Sequence, residues 1–260
     1  MSKLKFNGCG CIGCMAILFI LSLLGVIFFI LWRLSFTALQ QNQVTSELPD
    51  HSSYAVQGVD VSAYQGKIDW SVLADNNIQF AFIKATEGSD YVDENFSQNL
   101  SGALKTPLKI GAYHFFNFDE SGLSQAQNFI NTVPKNESML PPVVDIEFYP
   151  PYNRFLPPSS DSIVNELRVF LNTLEAHYGK RPIIYTSKYP YSVYIEGQFE
   201  DYKLWIANYD EHPVLSDGRE WTFWQYSEHG ILPGYSGAVE YIDLNVYRGS
   251  WSDFKKDFSY

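Results

Sequence analysis

Eight short β-rich runs, most of them separated by segments of helical period, constrain this chain more than any other feature. They are VQGVDVS at Val56, QFAFIKATEG at Gln79, KIGAYHFF at Lys109, PPVVDIEF at Pro141, PIIYTS at Pro182, KLWIANY at Lys203, TFWQYS at Thr222 and VEYIDLNVY at Val239. Between several of them apolar residues recur at three and four: Phe96, Leu100, Ala103 and Leu104, then Ala126, Phe129, Ile130 and Val133, then Ile163, Leu167, Phe170 and Leu174. The last segment carries the clearest end signals, Pro158, Ser159 and Ser160 before it and Gly179 after it. Strands alternating with helices predict a parallel sheet, and eight of them in about 205 residues predict a closed barrel. After Lys203 the gaps are too short for full helices. The expected fold is therefore α/β, an irregular TIM-like (β/α) barrel of eight strands with missing or vestigial late helices.

A different pattern precedes the barrel. Met15 to Trp32 reads MAILFILSLLGVIFFILW, 18 residues without a charge. At 1.5 Å per residue such a helix approaches the ~30 Å of a bilayer core. A cleaved signal peptide has a shorter apolar region and a small-x-small site, whereas the nearest candidate here, after Ala38, places Phe36 where a small residue belongs. The run is read as one uncleaved transmembrane helix. Lys3 and Lys5 precede it and only Arg33 follows before Glu47 and Asp50, which favours a cytoplasmic N-terminus, with the bulk of the protein in the periplasm or outside the cell. The expected organisation is a short head over 1–14, an anchor over 15–33, a flexible polar stalk over 34–54 and a folded domain over 55–260. GCGCIG at Gly8 matches a dinucleotide fingerprint in letters alone, because it leads into a membrane span rather than following a strand. All three cysteines, Cys9, Cys11 and Cys14, lie in the head, so the folded domain forms no disulfide.

Charge narrows the function classes. The formal net charge is −11, and since the first 33 residues carry three basic residues and no acid, the remainder sums to −14. Nucleic-acid affinity needs clustered Lys and Arg, so a nucleic-acid partner is not expected. In a barrel of this kind the site forms where the strands end. The polar residues closing the runs are mostly carboxylates: Asp60, Glu87, Asp145, Glu147 and Asp243. Asp145 and Glu147 stand two apart on one strand, with side chains on one face and Cα atoms about 6.6 Å apart. Closure makes the first and last strands neighbours, so Asp60 and Asp243 are expected side by side, opposite that pair. Crowded carboxylates repel one another, which raises the pKa of one and leaves another ionised. Glycoside hydrolysis needs that division between a proton donor and a charge that steadies an oxocarbenium-like centre.

A single acid at a strand end more often caps the following helix or pairs with a cation; the set is harder to assign that way. Carboxylates also bind Mg²⁺ or Ca²⁺. For zinc, His51, His114, His177, His212 and His229 show no HExxH spacing, and no GxSxG elbow supports serine-hydrolase chemistry. Tyr64, Tyr113, Phe115, Tyr185, Trp205, Tyr209, Trp224 and Tyr226 lie at or just beyond strand ends, where flat faces stack on pyranose rings. With Glu87, Asn208 and Gln225 at the ends of their runs, the candidate sugar-binding set is Tyr64, Glu87, Tyr113, Tyr185, Trp205, Asn208, Trp224 and Gln225.

These residues fall within stretches through which the chain resembles the family 25 glycoside hydrolases, a family of lysozymes. They are GVDVSAYQGKIDW at Gly58, FAFIKATEGSDYVDENF at Phe80, IGAYHFF at Ile110, PPVVDIE at Pro141, PIIYTS at Pro182, LWIANY at Leu204, TFWQYS at Thr222 and IDLNVYRGS at Ile242. The resemblance covers about residues 55 to 255, in order. It implies a modified barrel with five helices or fewer and an N-acetylmuramidase that cuts the β-1,4 bond between N-acetylmuramic acid and N-acetylglucosamine in peptidoglycan. It makes Glu147 the general acid and gives Asp145 the stabilisation of the positive intermediate by orienting the substrate's 2-acetamido group. Asp60 and Asp243 complete an acidic ring that binds substrate. Peptidoglycan strands are the implied partner of a monomer, and neither metal nor organic cofactor is implied. A glycan-binding domain that does not cut, and a hydrolase of another amino sugar polymer such as chitin, are the alternatives.

Overall fold

The computed structural model describes residues 53–258. The membrane helix expected over 15–33, the head before it and nearly all of the stalk lie outside the described residues; among those described, no helix is long and apolar enough to cross a membrane. Nine strands form one sheet: β1 Val56–Val61, β2 Phe80–Glu87, β3 Tyr91–Val92, β4 Lys109–Phe115, β5 Val143–Ile146, β6 Ile183–Ser187, β7 Lys203–Ala207, β8 Phe223–Gly230 and β9 Ile242–Tyr247. Eight of them close a barrel in the order β1-β2-β4-β5-β6-β7-β8-β9, with β9 returning to β1, while β3 hangs on β2 as a hairpin outside the ring.

The expectation of a wholly parallel sheet is corrected at one strand. Around the ring every pairing from β1 through β8 is parallel, but β9 is antiparallel to both β8 and β1. Parallel neighbours need a crossover of a dozen or more residues, usually helical, and the chain between Gly230 and Ile242 holds no helix. The strand therefore folds straight back.

Helices diminish along the chain. α1 Trp70–Ala74, α2 Phe96–Ala103, α3 Gly122–Thr132 and α4 Ser160–Tyr178 follow β1, β3, β4 and β5. β6 is followed only by the turns Lys188–Pro190 and Tyr191–Ile195, β7 and β8 by no helix, and α5 Trp251–Asp257 closes the chain. Caps fix several ends: Asp69 accepts from the backbone of Ser71 and Val72 at α1, Ser121 from Ser124 at α3, and Gly179 takes the left-handed conformation (φ 70°) that stops α4.

Two apolar layers hold the barrel. The outer one packs Phe96 and Leu100 of α2, Phe129 of α3 and Leu167, Phe170 and Leu174 of α4 against outward strand residues such as Val59, Ile83 and Val144. The inner one fills the lower barrel with Phe80, Phe82, Val143, Ile183, Trp205 and Phe223. Glycine makes room for the inner rings, since Gly58 is paired with Phe80 and Phe82 with Gly111. A Cβ on Gly58 would stand 2.3 Å from the Phe80 ring, and one on Gly111 2.4 Å from the Phe82 ring. Overpacking a filled core costs about 1–3 kcal/mol. Gly111→Ala is expected near the top of that range, because the Phe82 ring it would strike is held by Phe80, Trp205 and Phe223, and a lowered urea midpoint with unchanged slope would show it.

Candidate active site

Above the aromatic floor the barrel opens into a hollow of about 330 Å³. All eight strands of the ring contribute residues to its lining. Asp145 projects from β5 and Glu147 from just beyond it, and both line the hollow, as alternation along a strand requires. Asp60 of β1 and Asp243 of β9 are direct partners in the antiparallel ladder. Asp243 is the second residue of its strand, so only the reversal of β9 brings it to the mouth.

Asp60 is buried, and its Oδ2 accepts from Gln225 Nε2 at 2.8 Å and Asn245 Nδ2 at 2.7 Å. Burial raises its pKa while these amides and the Asp243 carboxyl oppose the rise. Asp243 is pushed up to about 9 by burial and by the charge of Asp60. Two amide donors fix the charge on Asp60, and Asp243 carries the proton of the pair.

Across the hollow, burial first and then the charge of Glu147 push Asp145 well above the usual carboxylate range. Its Oδ1 is buried with no hydrogen-bond partner among the described residues. Glu147 is pushed up to about 7, mainly by burial and then by the charges of Asp60 and Glu228, with the Tyr185 hydroxyl opposing the rise. Two carboxyls so placed do not ionise together in a low-dielectric site.

Other expected residues divide. Tyr113, Tyr185, Trp205 and Gln225 line the hollow with Tyr64, whose side chain stands on the rim at 69% exposure. Trp205 belongs to the floor: it stacks on Phe82 at 4.6 Å and donates from Nε1 to Asn245 Oδ1 at 2.8 Å. Trp224 does not line the hollow. It neighbours Gln225 on β8 and so faces outward, into a cluster with Tyr54, His212, Trp221 and Tyr226. Tyr226 shares that outward layer, whereas the Tyr209 hydroxyl reaches Gln225 Oε1 at 2.6 Å. Asn208 also stays out. Its backbone binds Gln225 and Trp224, and its side chain accepts from the Asp210 amide, so it ties down the loop after β7.

Glu87 is placed by a bulge. Between Lys84 and Thr86 the β2–β4 register slips, so Ala85 and Thr86 both turn to the packed outer side. Lys84 and Glu87 then come together as an ion pair at 2.7 Å. Lys84, not Glu87, lines the hollow. Sequence reasoning missed Lys84, Glu228 and Asn245. Asn245 was available from its spacing of two from Asp243, but Glu228 follows slips in the β8–β9 register that no residue pattern signals.

Comparison with known proteins gives a concordant result. The family model described as glycosyl hydrolases family 25 matches residues 59–235. The Escherichia coli K12 protein YegX, described as uncharacterized, is 37% identical over 204 residues, 76% of this chain and 72% of its own. Lysozyme M1 of Streptomyces globisporus is 35% identical over 208 residues, 75% of this chain and 68% of its own. Among solved structures, a family 25 glycosyl hydrolase from Bacillus anthracis superposes with a TM-score of 0.76 at 46% identity, covering 82% of this chain and 98% of that one.

Proposed function

The chain belongs to glycosyl hydrolases family 25, and from that premise and its acidic hollow we propose a lysozyme that cuts the β-1,4 bond between N-acetylmuramic acid and N-acetylglucosamine in peptidoglycan. The observation that carries the reading is the split between Glu147, which still holds its proton near neutrality, and Asp145, whose buried oxygen awaits a donor. Glu147 passes its proton to the glycosidic oxygen as the bond from that oxygen to the anomeric carbon breaks, and the leaving sugar departs with a 4-hydroxyl. The substrate's 2-acetamido N–H donates to Asp145 Oδ1. A hydrogen bond to the charged form favours it, so on substrate binding Asp145 gives up its proton to the solvent of the open hollow and stands ionised beside the positive centre. Glu147, now a carboxylate, takes a proton from the water that attacks the anomeric carbon and returns to its starting state. Asp60, held by two amides, and Asp243 form the facing wall that receives the glycan.

A pH dependence follows. Glu147 must be protonated in the resting enzyme and titrates at about 7. Release of reducing ends, read as kcat/KM, is expected to fall about tenfold per unit above that pH. A rate that stays flat to pH 9 would remove Glu147 from the role of acid.

For location, the reading is a single-pass protein anchored by residues 15–33, with a cytoplasmic N-terminus and the barrel in the periplasm or outside the cell. The uncharged run from Met15 to Trp32, with Lys3 and Lys5 before it, supports this. The full chain should stay with membranes through alkaline carbonate washing while a chain begun at residue 53 washes free; equal release of both would end the proposal.

A further inference from the structure

The loop between β5 and α4 leaves the barrel beside Glu147, so it stands at the end where the hollow opens. Its base is pinned: the Tyr149 hydroxyl accepts from the Phe118 amide at 2.6 Å and donates to Asn117 Oδ1 at 3.0 Å. Its tip is a closed turn, in which Asn153 Oδ1 accepts from the amides of Phe155 at 2.9 Å and Leu156 at 3.2 Å. Yet this fixed turn leaves Phe155 81% and Leu156 59% exposed. Single apolar side chains on a surface are ordinary, but adjacent ones held out on an ordered turn mark a place where something binds.

Arg154 completes the tip. Its guanidinium carbon lies 4.5 Å from the centre of the Phe155 ring and 5.4 Å from that of Tyr189, which sits on the turn after β6. Nη1 donates to the Tyr189 hydroxyl at 2.9 Å. Two rings and one hydrogen bond thus hold the guanidinium in place. Arg181 and Arg248 pair with carboxylates, whereas among the described residues no carboxylate ion-pairs with Arg154. A planar fork held in this way and left without an anion suits a carboxylate, which it can grip with two parallel hydrogen bonds.

Charge decides which part of a substrate comes here. Asp60, Asp145, Glu147, Glu228 and Asp243 line the hollow against one cation, Lys84, which Glu87 already holds. Anionic parts of a polymer are repelled from such a hollow and settle outside it. In peptidoglycan the muramyl residue carries a peptide, and a peptide ends in a carboxylate. We propose that Arg154, framed by Phe155 and Tyr189, binds a carboxylate of that peptide while Phe155 and Leu156 cover its aliphatic part, so that the protein prefers peptide-bearing glycan to bare glycan. This deepens the muramidase reading and rests on it for the identity of the polymer.

The test measures binding, in the Glu147→Gln background so that the ligand stays whole. Isothermal titration compares three soluble glycan strands: one bearing its peptides, the same strand with the peptide carboxyls converted to amides, and a strand stripped of peptide by an amidase. The peptide-bearing strand should bind about fivefold tighter than the amidated one, the upper end for an exposed ion pair, and at least that much tighter than the stripped one. Arg154→Ala should erase the difference between the peptide-bearing and amidated strands and leave affinity for the stripped strand unchanged. Arg154→Lys, a point charge without the fork, should keep only part of the difference. Equal affinity for the peptide-bearing and amidated strands overturns the proposal without recourse to any Arg154 variant. So does an Arg154→Ala protein that keeps the difference, or that loses as much affinity for the stripped strand as for the peptide-bearing one. If the carboxylate preference is found but the wild-type protein releases no reducing ends, the muramidase reading falls and the site stands; binding of no strand at all overturns both.

Discussion

Replacing Glu147 by Gln is expected to lower the release of reducing ends from purified peptidoglycan by at least about 10³-fold, with no fall in melting temperature. General acid–base catalysis contributes some 10²–10⁴-fold, and a glycosidic oxygen is too poor a leaving group to forgo protonation. Gln matches Glu in shape but has no acidic proton. The stability half of the prediction has its own sign. Glu147 titrates at about 7 in the fold against an ordinary value of 4.5, so its linked contribution to stability is fully present below the unfolded value and is lost as pH rises toward 7. Removing the charge should therefore leave the variant as stable as the parent at pH 5 and more stable, by about 1 kcal/mol or more, at pH 8. Turbidity assays and thermal melts at the two pH values check both halves. Loss of activity together with loss of folding would say that Glu147 is structural.

The second large effect is Asp145→Asn, for which a kcat loss of about 10²–10³-fold is expected with KM changed little. The reason lies in the orphaned Oδ1, buried without a partner. A buried acceptor left unpaired costs folding free energy, and such a cost persists where the group meets its partner only in the reacting complex. An asparagine either turns its own N–H toward the substrate amide or supplies a neutral oxygen, and neither gives the negative charge that steadies the intermediate. Steady-state kinetics on a soluble muropeptide polymer separates kcat from KM. A variant that loses affinity but keeps kcat would make Asp145 a binding group.

Much of this could be read from residues alone, and the failures have physical causes. The eight runs became eight strands, and the apolar periods at Phe96, Ala126 and Ile163 became α2, α3 and α4, because both signals report which face is buried. α1 and α5 were missed because five and seven residues hold too few turns to show a period. The reversal of β9 was also missed, although the short chain before it held the signal; that reversal is what carries Asp243 to the mouth. Trp224 and Gln225 were both assigned to the hollow, which neighbours on one regular strand cannot satisfy. The opposite lesson comes from β2, where regular alternation would have separated Lys84 from Glu87 and a bulge joined them. Family membership follows from the sequence and structural comparisons, and the roles of individual side chains follow from where these local departures point them.

The central claim is that this hollow breaks the muramyl bond. It is tested most directly by digesting purified cell wall with the protein, reducing the new ends with borohydride, hydrolysing in acid and identifying the amino sugar alcohol formed. The account predicts muramitol, rising with time in the wild-type digest and absent with Glu147→Gln. Glucosaminitol in its place, or no new sugar alcohol from the wild-type protein, would contradict it.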